Sequence, residues 1–509
     1  MFFRELLKVI EPLKVSGDTG VEIQELFYDS RRVESGGLFF ALRGSAADGH
    51  LFIDAALRSG AAAVVVEDNS AVPSGIPCAT VADSRRAMAR MAALYYGNPT
   101  DRVPLIGITG TNGKTTTSYI IEAILEAAGM PAAVLGTVSY RFQEKAFPAP
   151  HTTPESAELQ RLLREMGEMG AKSVVMEVSS HALDQRRVEG CSFDAGVFTN
   201  LTRDHLDYHK DMEAYLASKK RLFSELLAPD RNKPRRTSAV NMDDPYGPEI
   251  AASSACPVLY YGIGPDAQVT ARDISYSING ITGLLVTPKG EDRFSSGMPG
   301  RFNLYNILAA AAAGMALDLP LCAVISGIEG HKKVPGRLEK VDNNLGVGIF
   351  VDYAHTGDAL ENVLRTLNEL AEGRIITVFG CGGDRDRGKR PLMGEVAGRF
   401  SDLAIITSDN PRTEDPAAIM DDIREGILPL GIRDYGTEEL DSGFAEKGYV
   451  LVESRREAIS LAIRLAAPGD IVLLAGKGHE DYQIIGSERL HFDDREEASS
   501  ALEELGRKG

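Results

Sequence analysis

A chain of 509 residues exceeds what one hydrophobic core serves and, at roughly 100–200 residues per domain, divides into about three. Apolar residues make up 43% and charged residues 25%, with 51 Gly and 24 Pro, which excludes a disordered, collagenous or minimal disulfide-stapled chain. Lys and Arg number 55 against 73 Asp and Glu, a net charge of −18 that argues for no nucleic-acid partner, although local amides and cations can still hold a small anion.

The first segment carries Arg4, Glu5, Lys8, Glu11 and Lys14, which leaves no apolar core for a signal peptide. The longest charge-free apolar stretch, Phe302 to Leu317, contains Asn303 and Asn306 and is too short to span a bilayer. The 5 cysteines form no CxxC pair and predict neither a zinc site nor a disulfide framework. The expectation is a cytoplasmic protein with no membrane insertion.

Leu38–Leu42 and Ala61–Val66 read as strands with a helix over Asp54–Arg58, so residues 1–100 form a small N-terminal α/β domain. The polar, twice-Pro segment Asn98–Pro104 closes it. In residues 101–337, apolar runs at Leu105–Ile108, Ala133–Leu135, Ser173–Glu177 and Ala195–Thr199 alternate with helical periodicity over Thr116–Ala128, Glu155–Met169 and Met212–Leu227. This alternation predicts an α/β domain with a mostly parallel sheet covered by helices on both faces. Pro335-Gly336 breaks the pattern. Gly346–Val351, Arg374–Phe379, Leu403–Thr407 and Ile471–Ala475 then begin the strands of a Rossmann-like α/β domain over residues 338–509.

After the first central strand comes Gly107-Ile-Thr-Gly-Thr-Asn-Gly-Lys-Thr-Thr, running into a helix. A glycine-rich turn that opens a helix aims backbone N–H groups and the helix dipole at one point, where phosphate oxygens can sit. Gly110, Thr111, Asn112, Gly113, Lys114, Thr115 and Thr116 form this P-loop-type cradle, with Lys114 directed at the outer phosphates and Thr115 at Mg2+. Ile108 departs from the strict Walker pattern, and ATP and GTP stay open at this level.

Ligands of open α/β sheets collect at the carboxyl ends of strands. Glu177 ends one strand and is either a Mg2+ ligand or a solvated terminal carboxylate. The next strand leads into Asn200–His209, which contains His205. On the following helix, Met212, Tyr215, Leu216, Leu222, Phe223 and Leu226 mark one face, and Lys219 shares it. An inward lysine must snorkel, lose its proton, pair or be modified. Four later strands or strand ends carry Asp352, the cationic loop with Arg385, Asp409-Asn410-Pro411-Arg412 and Gly476-Lys-Gly-His-Glu480. Arg385 and Arg412 suit a carboxylate and Glu480 suits an amine, which together describe an amino-acid site.

Taken together, Gly110–Thr115, Glu177–His181, Asn200–His209, Asp352–His355 and Gly476–Glu480 resemble, in order, the motifs of the Mur ligases of peptidoglycan synthesis. Asp409–Arg412 is similar to the signature of the members that add diaminopimelate. The resemblance covers nearly the whole chain. It implies ATP as co-substrate, Mg2+, and an ATP-dependent ligase that joins meso-2,6-diaminopimelate to UDP-N-acetylmuramoyl-L-alanyl-D-glutamate through an acyl phosphate. It further implies that Lys219 is carbamylated and that Thr115, Glu177, His205 and Lys219 hold the metal, with Lys114 among the catalytic groups.

The same resemblance places Asn303, Arg337 and Asp352 on ATP. Ser30, Ser45, Ala46, Ala47, Thr152, Thr153, Ser179, Gln185 and Arg187 fall on the UDP-substrate, and Arg385, Asp409, Asn410, Pro411, Arg412, Gly476 and Glu480 on diaminopimelate. A monomer is expected. His151 stands where some relatives carry Asn, and Gly357 where Pro is common. A lysine-adding member, a folylpolyglutamate-synthase-like ligase and, more distantly, a P-loop ATPase switch are the alternatives.

Overall fold

The computed structural model describes residues 1–44, 47–230, 233–331 and 333–508. They divide into two compact units, the first comprising 1–272, 285–292 and 305–330, and the second 273–284, 293–304 and 331–509.

Within the first unit, the amino-terminal sheet runs in the order Lys14–Ser16, Cys78–Thr80, Ala61–Val66, Gly37–Phe40, Glu25–Phe27. Its strands are short, and Gly37–Phe40 is buried along its whole length. The segment Ser30–Arg32 is a 3-10 turn capped by Asp29, whose side chain accepts from the Arg31 N–H.

The central sheet has the order Val258–Tyr261, Thr237–Asn241, Ala195–Phe198, Leu105–Thr109, Ser173–Glu177, Ala132–Leu135, Tyr140–Phe142, Lys145–Phe147. It is parallel except for the last two strands, which fold back antiparallel. Leu105–Thr109 lies between Ala195–Phe198 and Ser173–Glu177, with Ile108 opposite Glu177 and Thr109 opposite Phe198. Three strand ends therefore open at one edge, and the helix Lys114–Ala127 begins there. The uniformly buried strands are what a sheet covered on both faces requires.

The helix that carries Lys219 is α over Met212–Arg221 and then widens to a π turn over Leu222–Leu226. Periodicity predicts one uninterrupted α-helix, and the difference lies in this last turn, where Leu222 and Phe223 remain fully buried.

In the second unit, the sheet order is Glu339–Val341, Gly348–Asp352, Ile471–Ala475, Ile375–Phe379, Leu403–Ile406, Gly448–Leu451, Arg433–Asp434. Side chains alternate between two cores. Phe350, Phe379, Ile406 and Leu473 join one, and Ile349, Val351, Val378, Ile405 and Leu474 join the other, so both faces are covered. Gly357 opens the helix Gly357–Leu370, and the Thr356 hydroxyl caps it by accepting from the Ala359 N–H.

Candidate active site

The phosphate loop is shaped by the strand beside it. Asn200 brackets Asn112, its Oδ1 accepting from the Asn112 N–H at 2.9 Å and its Nδ2 donating to the Asn112 carbonyl at 3.1 Å. The Thr199 hydroxyl donates to the same carbonyl at 2.7 Å. The Thr111 hydroxyl meets the Tyr215 hydroxyl at 3.1 Å and accepts from the Thr202 N–H at 3.0 Å. Gly113 turns the chain at φ +85°, and a Cβ there would lie 2.3 Å from Asn306 Oδ1, so only glycine fits.

Lys114 Nζ donates to the carbonyls of Gly110 at 2.9 Å and Thr111 at 2.7 Å. Lys219 Nζ donates to the same Gly110 carbonyl, also at 2.9 Å, and lies 4.4 Å above the Tyr215 ring. Lys219 is 1% exposed, so it does not snorkel. Burial first, and the positive charge of Lys114 second, push its pKa well below the ordinary lysine value.

Glu177 is likewise 1% exposed, which removes the solvated alternative. Its Oε1 accepts from the Thr137 N–H at 3.0 Å, and its Oε2 accepts from the hydroxyls of Thr115 at 3.1 Å and Thr137 at 3.0 Å. Thr116 is buried on the phosphate-loop helix. His205 sits at φ +54°, Nε2 3.5 Å from Asp204, with its ring against His181 at 5.0 Å and Tyr215 at 6.1 Å. Tyr215 thus lies against both the His205 ring and Lys219 Nζ.

Thr152, Thr153, Ser179, Gln185 and Arg187 form a second polar group beside Glu177. The Thr152 and Thr137 hydroxyls are 3.2 Å apart. The Thr153 hydroxyl donates to the Glu177 carbonyl at 2.8 Å and accepts from the Ser179 N–H at 3.2 Å. Arg187 donates to Thr153 O and Gln185 Oε1, both at 2.8 Å, and pairs with Glu155 at 3.1 Å. Ser30 lies in its own turn, and Ala47 accepts from the Gly44 N–H at 3.0 Å. Ser45 and Ala46 lie outside the described residues.

In the second unit, Asp352 is buried and accepts from the N–H groups of Leu338 at 2.6 Å and Ala354 at 2.9 Å. Burial raises its pKa, against the opposing pull of Arg337 and these two amides. The Arg337 guanidinium lies 5.0 Å from the Tyr353 ring centre. Asn303 is buried and donates from Nδ2 to the Pro299 carbonyl at 2.8 Å.

Two loops knit the amino-acid cluster. Arg412, at φ +51°, donates from Nη1 to the Gly383 carbonyl at 2.9 Å. A Cβ on Gly382 would lie 2.9 Å from Arg412 Nη1 and 3.7 Å from Arg385 Cγ, so both arginine side chains pass one glycine. Gly383 has no room for a side chain, since a Cβ would come within 1.9 Å of the Pro411 carbonyl oxygen. Asn410 Nδ2 donates to Glu480 at 3.0 Å. Lys477, fully buried, pairs with Asp409 at 3.0 Å. Burial pushes the Asp409 carboxyl up, but Lys477 and then Arg455 pull it below its ordinary value. Glu480 moves the other way, raised by burial and by the Asp409 charge. Gly476 turns at φ +111° beside Asp409, with its Cβ position 3.2 Å from Oδ2.

Sequence reasoning passes over Thr137, which follows the strand Ala132–Leu135, and Lys477. The strand-end rule that found Glu177 would have found Thr137. Lys477 lies inside a motif but between two glycines, a setting that resembles a loose loop.

In the first unit, a glycine turn at a helix N-terminus suits an anion and the Thr115–Glu177 oxygens suit a hard cation. Mg2+ takes one or two carboxylates and leaves its other positions to phosphate and water. Thr115 and Glu177 provide such hard oxygen donors. No group of three or more His, Cys, Asp or Glu with metal-site geometry occurs among the described residues.

Comparison with known proteins finds the Mur ligase middle domain over residues 108–314, the Mur ligase glutamate ligase domain over 336–478 and the Mur ligase family catalytic domain over 22–96. The UDP-N-acetylmuramoyl-L-alanyl-D-glutamate--2,6-diaminopimelate ligase of Geobacter metallireducens is 63% identical over 509 residues, covering 100% of each chain. The protein of the same name from Geobacillus kaustophilus is 46% identical over 95% of this chain and 96% of its own. A solved structure with that name matches at TM-score 0.71 and 33% identity, over 99% of both chains. A Mycobacterium tuberculosis folylpolyglutamate synthase complexed with ADP shares the fold at TM-score 0.60 and 17% identity, over 77% of this chain and 91% of that one.

Proposed function

The chain belongs to the Mur ligase family, and from that premise we propose that it is the ATP-dependent ligase that adds meso-2,6-diaminopimelate to UDP-N-acetylmuramoyl-L-alanyl-D-glutamate in peptidoglycan synthesis. The observation that carries the chemistry is the pair of lysines on the Gly110 carbonyl beside the buried Thr115–Glu177 contact.

Joining an amine to a carboxylate requires a leaving group on the acid. The D-Glu γ-carboxylate attacks the γ-phosphate of ATP, forming an acyl phosphate and ADP. The diaminopimelate amine then attacks the acyl carbon, and phosphate leaves with the amide formed. Lys114 stabilises charge on the transferring phosphoryl group, and the Gly110–Thr116 loop with its helix N-terminus orients the phosphates. Thr115, Glu177, His205 and the carbamylated Lys219 would hold Mg2+, which when bound neutralises phosphate charge. The depressed pKa of Lys219 suits carbamylation, since the neutral amine is the form that takes up CO2. Catalysis is positioning and charge stabilisation, with no covalent enzyme nucleophile.

Asn303, Arg337 and Asp352 take the adenosine and phosphate parts of ATP. Ser30, Ser45, Ala46 and Ala47 take the UDP end, and Thr152, Thr153, Ser179, Gln185 and Arg187 the muramoyl-dipeptide end. Arg385, Arg412 and the Asp409–Pro411 segment hold a carboxylate of diaminopimelate, while Glu480 and Gly476 meet its amine. The domains run over 1–100, 101–337 and 338–509. The protein acts as a cytoplasmic monomer without membrane insertion. Its cysteines are all free thiols, as a reducing compartment allows, and no helix among the described residues is long and apolar enough to cross a membrane.

Mass spectrometry of the product from UDP-muramoyl-dipeptide, ATP and each of diaminopimelate, lysine and glutamate tests this function. An amide with diaminopimelate is expected; an amide formed only with lysine or glutamate contradicts it.

A further inference from the structure

Immediately after Glu480 the chain forms a two-stranded hairpin, Tyr482–Ile485 against Glu488–His491, with Gln483 opposite Leu490. The outer strand is exposed along its length. A lone two-stranded hairpin is marginal in water, so contacts beyond its own ladder decide whether it stays formed. Its inner strand makes such contacts with the Asp409–Arg412 segment. Gln483 Nε2 donates to the Asp409 carbonyl at 2.6 Å, and the Ile484 N–H donates to Asn410 Oδ1 at 2.9 Å. The Arg412 N–H donates to the Ile484 carbonyl at 3.1 Å, and the Gly486 N–H donates to the Arg412 carbonyl at 2.8 Å.

These bonds act on two features that the amino-acid site needs. Arg412 is a non-glycine residue in the left-handed region, φ +51°, which persists only where its surroundings enforce it, and the hairpin bonds both its N–H and its carbonyl. The Asn410 carboxamide is oriented because Oδ1 receives Ile484 N–H and Lys477 Nζ, the latter at 3.4 Å, which leaves Nδ2 to face Glu480. Gln483 bonds this segment's backbone through its side chain, and it is half-buried.

We propose that Gln483 is a positioning residue for amino-acid recognition, acting through the backbone of Asp409 to hold Asn410, Arg412 and Glu480 in their binding arrangement. This rests on the assignment of those residues to the diaminopimelate site. The hairpin is then a clip on the recognition loop, and its loss weakens capture of the amino acid while leaving ATP and the UDP-substrate untouched.

The test is steady-state kinetics on the full-length enzyme with each of the three substrates varied at saturating levels of the other two, for Gln483→Ala, Gln483→Glu and, as a reference, Arg412→Ala. Losing one hydrogen bond predicts that Gln483→Ala raises KM for diaminopimelate about fivefold, with kcat and the other two KM values within about twofold. Gln483→Glu, which sets a carboxylate against a carbonyl, should raise it further. An unchanged KM for diaminopimelate in both variants, a parallel rise in all three KM values, or global unfolding of both variants overturns the proposal. If Arg412→Ala raises KM for diaminopimelate and the Gln483 variants do not, the positioning role alone fails. If Arg412→Ala is also without effect, the assignment of the site fails with it.

Discussion

Lys114 and Lys219 donate to one and the same carbonyl, that of Gly110, each at 2.9 Å, although 105 positions separate them in the chain. Two ammonium groups on one acceptor repel each other, and the buried one yields: Lys219 has the depressed pKa, through burial first and Lys114 second. Burial and the neighbouring Lys114 charge together disfavour the protonated form of Lys219 beside the Gly110 carbonyl.

This arrangement has a consequence for stability against pH. The folded-state pKa of Lys219 lies below its ordinary value of 10.5, so between the two values the unfolded chain binds the extra proton and stability rises with pH. In CO2-free buffer, the wild type should gain stability relative to Lys219→Met as pH rises from neutrality towards 10. Urea midpoints of both proteins across that range check it, and parallel curves would contradict it.

Glu177 accepts from three donors, two from Thr137 and one from Thr115. Glu177→Gln places an N–H2 where donors already point and removes the negative charge beside the phosphate loop. We expect kcat to fall about 100-fold or more while the protein remains folded. Phosphate release at saturating substrates measures this, and an undiminished kcat would refute the role.

In the second unit, the buried Lys477–Asp409 pair sets a different test. Lys477→Met takes from the buried Asp409 carboxylate its hydrogen-bonded cation, leaving it the weaker pull of Arg455, and should cost about 3–5 kcal/mol in urea denaturation. Adding Asp409→Asn removes that charge, so the double variant should recover at least half of the loss. A double variant no more stable than Lys477→Met would show that the pair is not the source of the cost.

Arg412→Ala should raise KM for diaminopimelate about tenfold or more, because a charge-assisted contact is lost, and leave KM for ATP within about twofold. Arg412→Lys should restore little, since an ammonium cannot replace the two-pronged guanidinium. An equal loss of affinity for both substrates would contradict the placement of Arg412.

Much of this is legible before any coordinates. Ala61–Val66, Ser173–Glu177 and Ile471–Ala475 are strands with the bounds that their apolar runs predict. A buried parallel strand is an uninterrupted apolar segment, and the polar group that ends it needs no tertiary knowledge to be noticed. Lys219 is legible for a similar reason, because helical spacing alone sets it on the face of Tyr215, Leu216 and Leu222.

What escapes is partnership across distance. Nothing local joins Lys477 to Asp409, 68 positions away, or Gln483 to the Asp409 carbonyl. Thr137 carries no charge to draw attention, yet it provides two of the three hydrogen bonds on Glu177. The π turn at Leu222–Leu226 is equally silent, since its residues continue the apolar stripe of an ordinary helix.

The central claim, that nucleotide cleavage is coupled to joining an acid and an amine, is tested most directly by phosphate release with substrates added one at a time. With ATP alone, or with ATP and diaminopimelate, release should stay near background. With UDP-N-acetylmuramoyl-L-alanyl-D-glutamate, ATP and diaminopimelate together it should rise about 100-fold or more, one phosphate per amide formed. Release at the full rate with ATP alone would mark a nucleotide-driven switch and contradict the account.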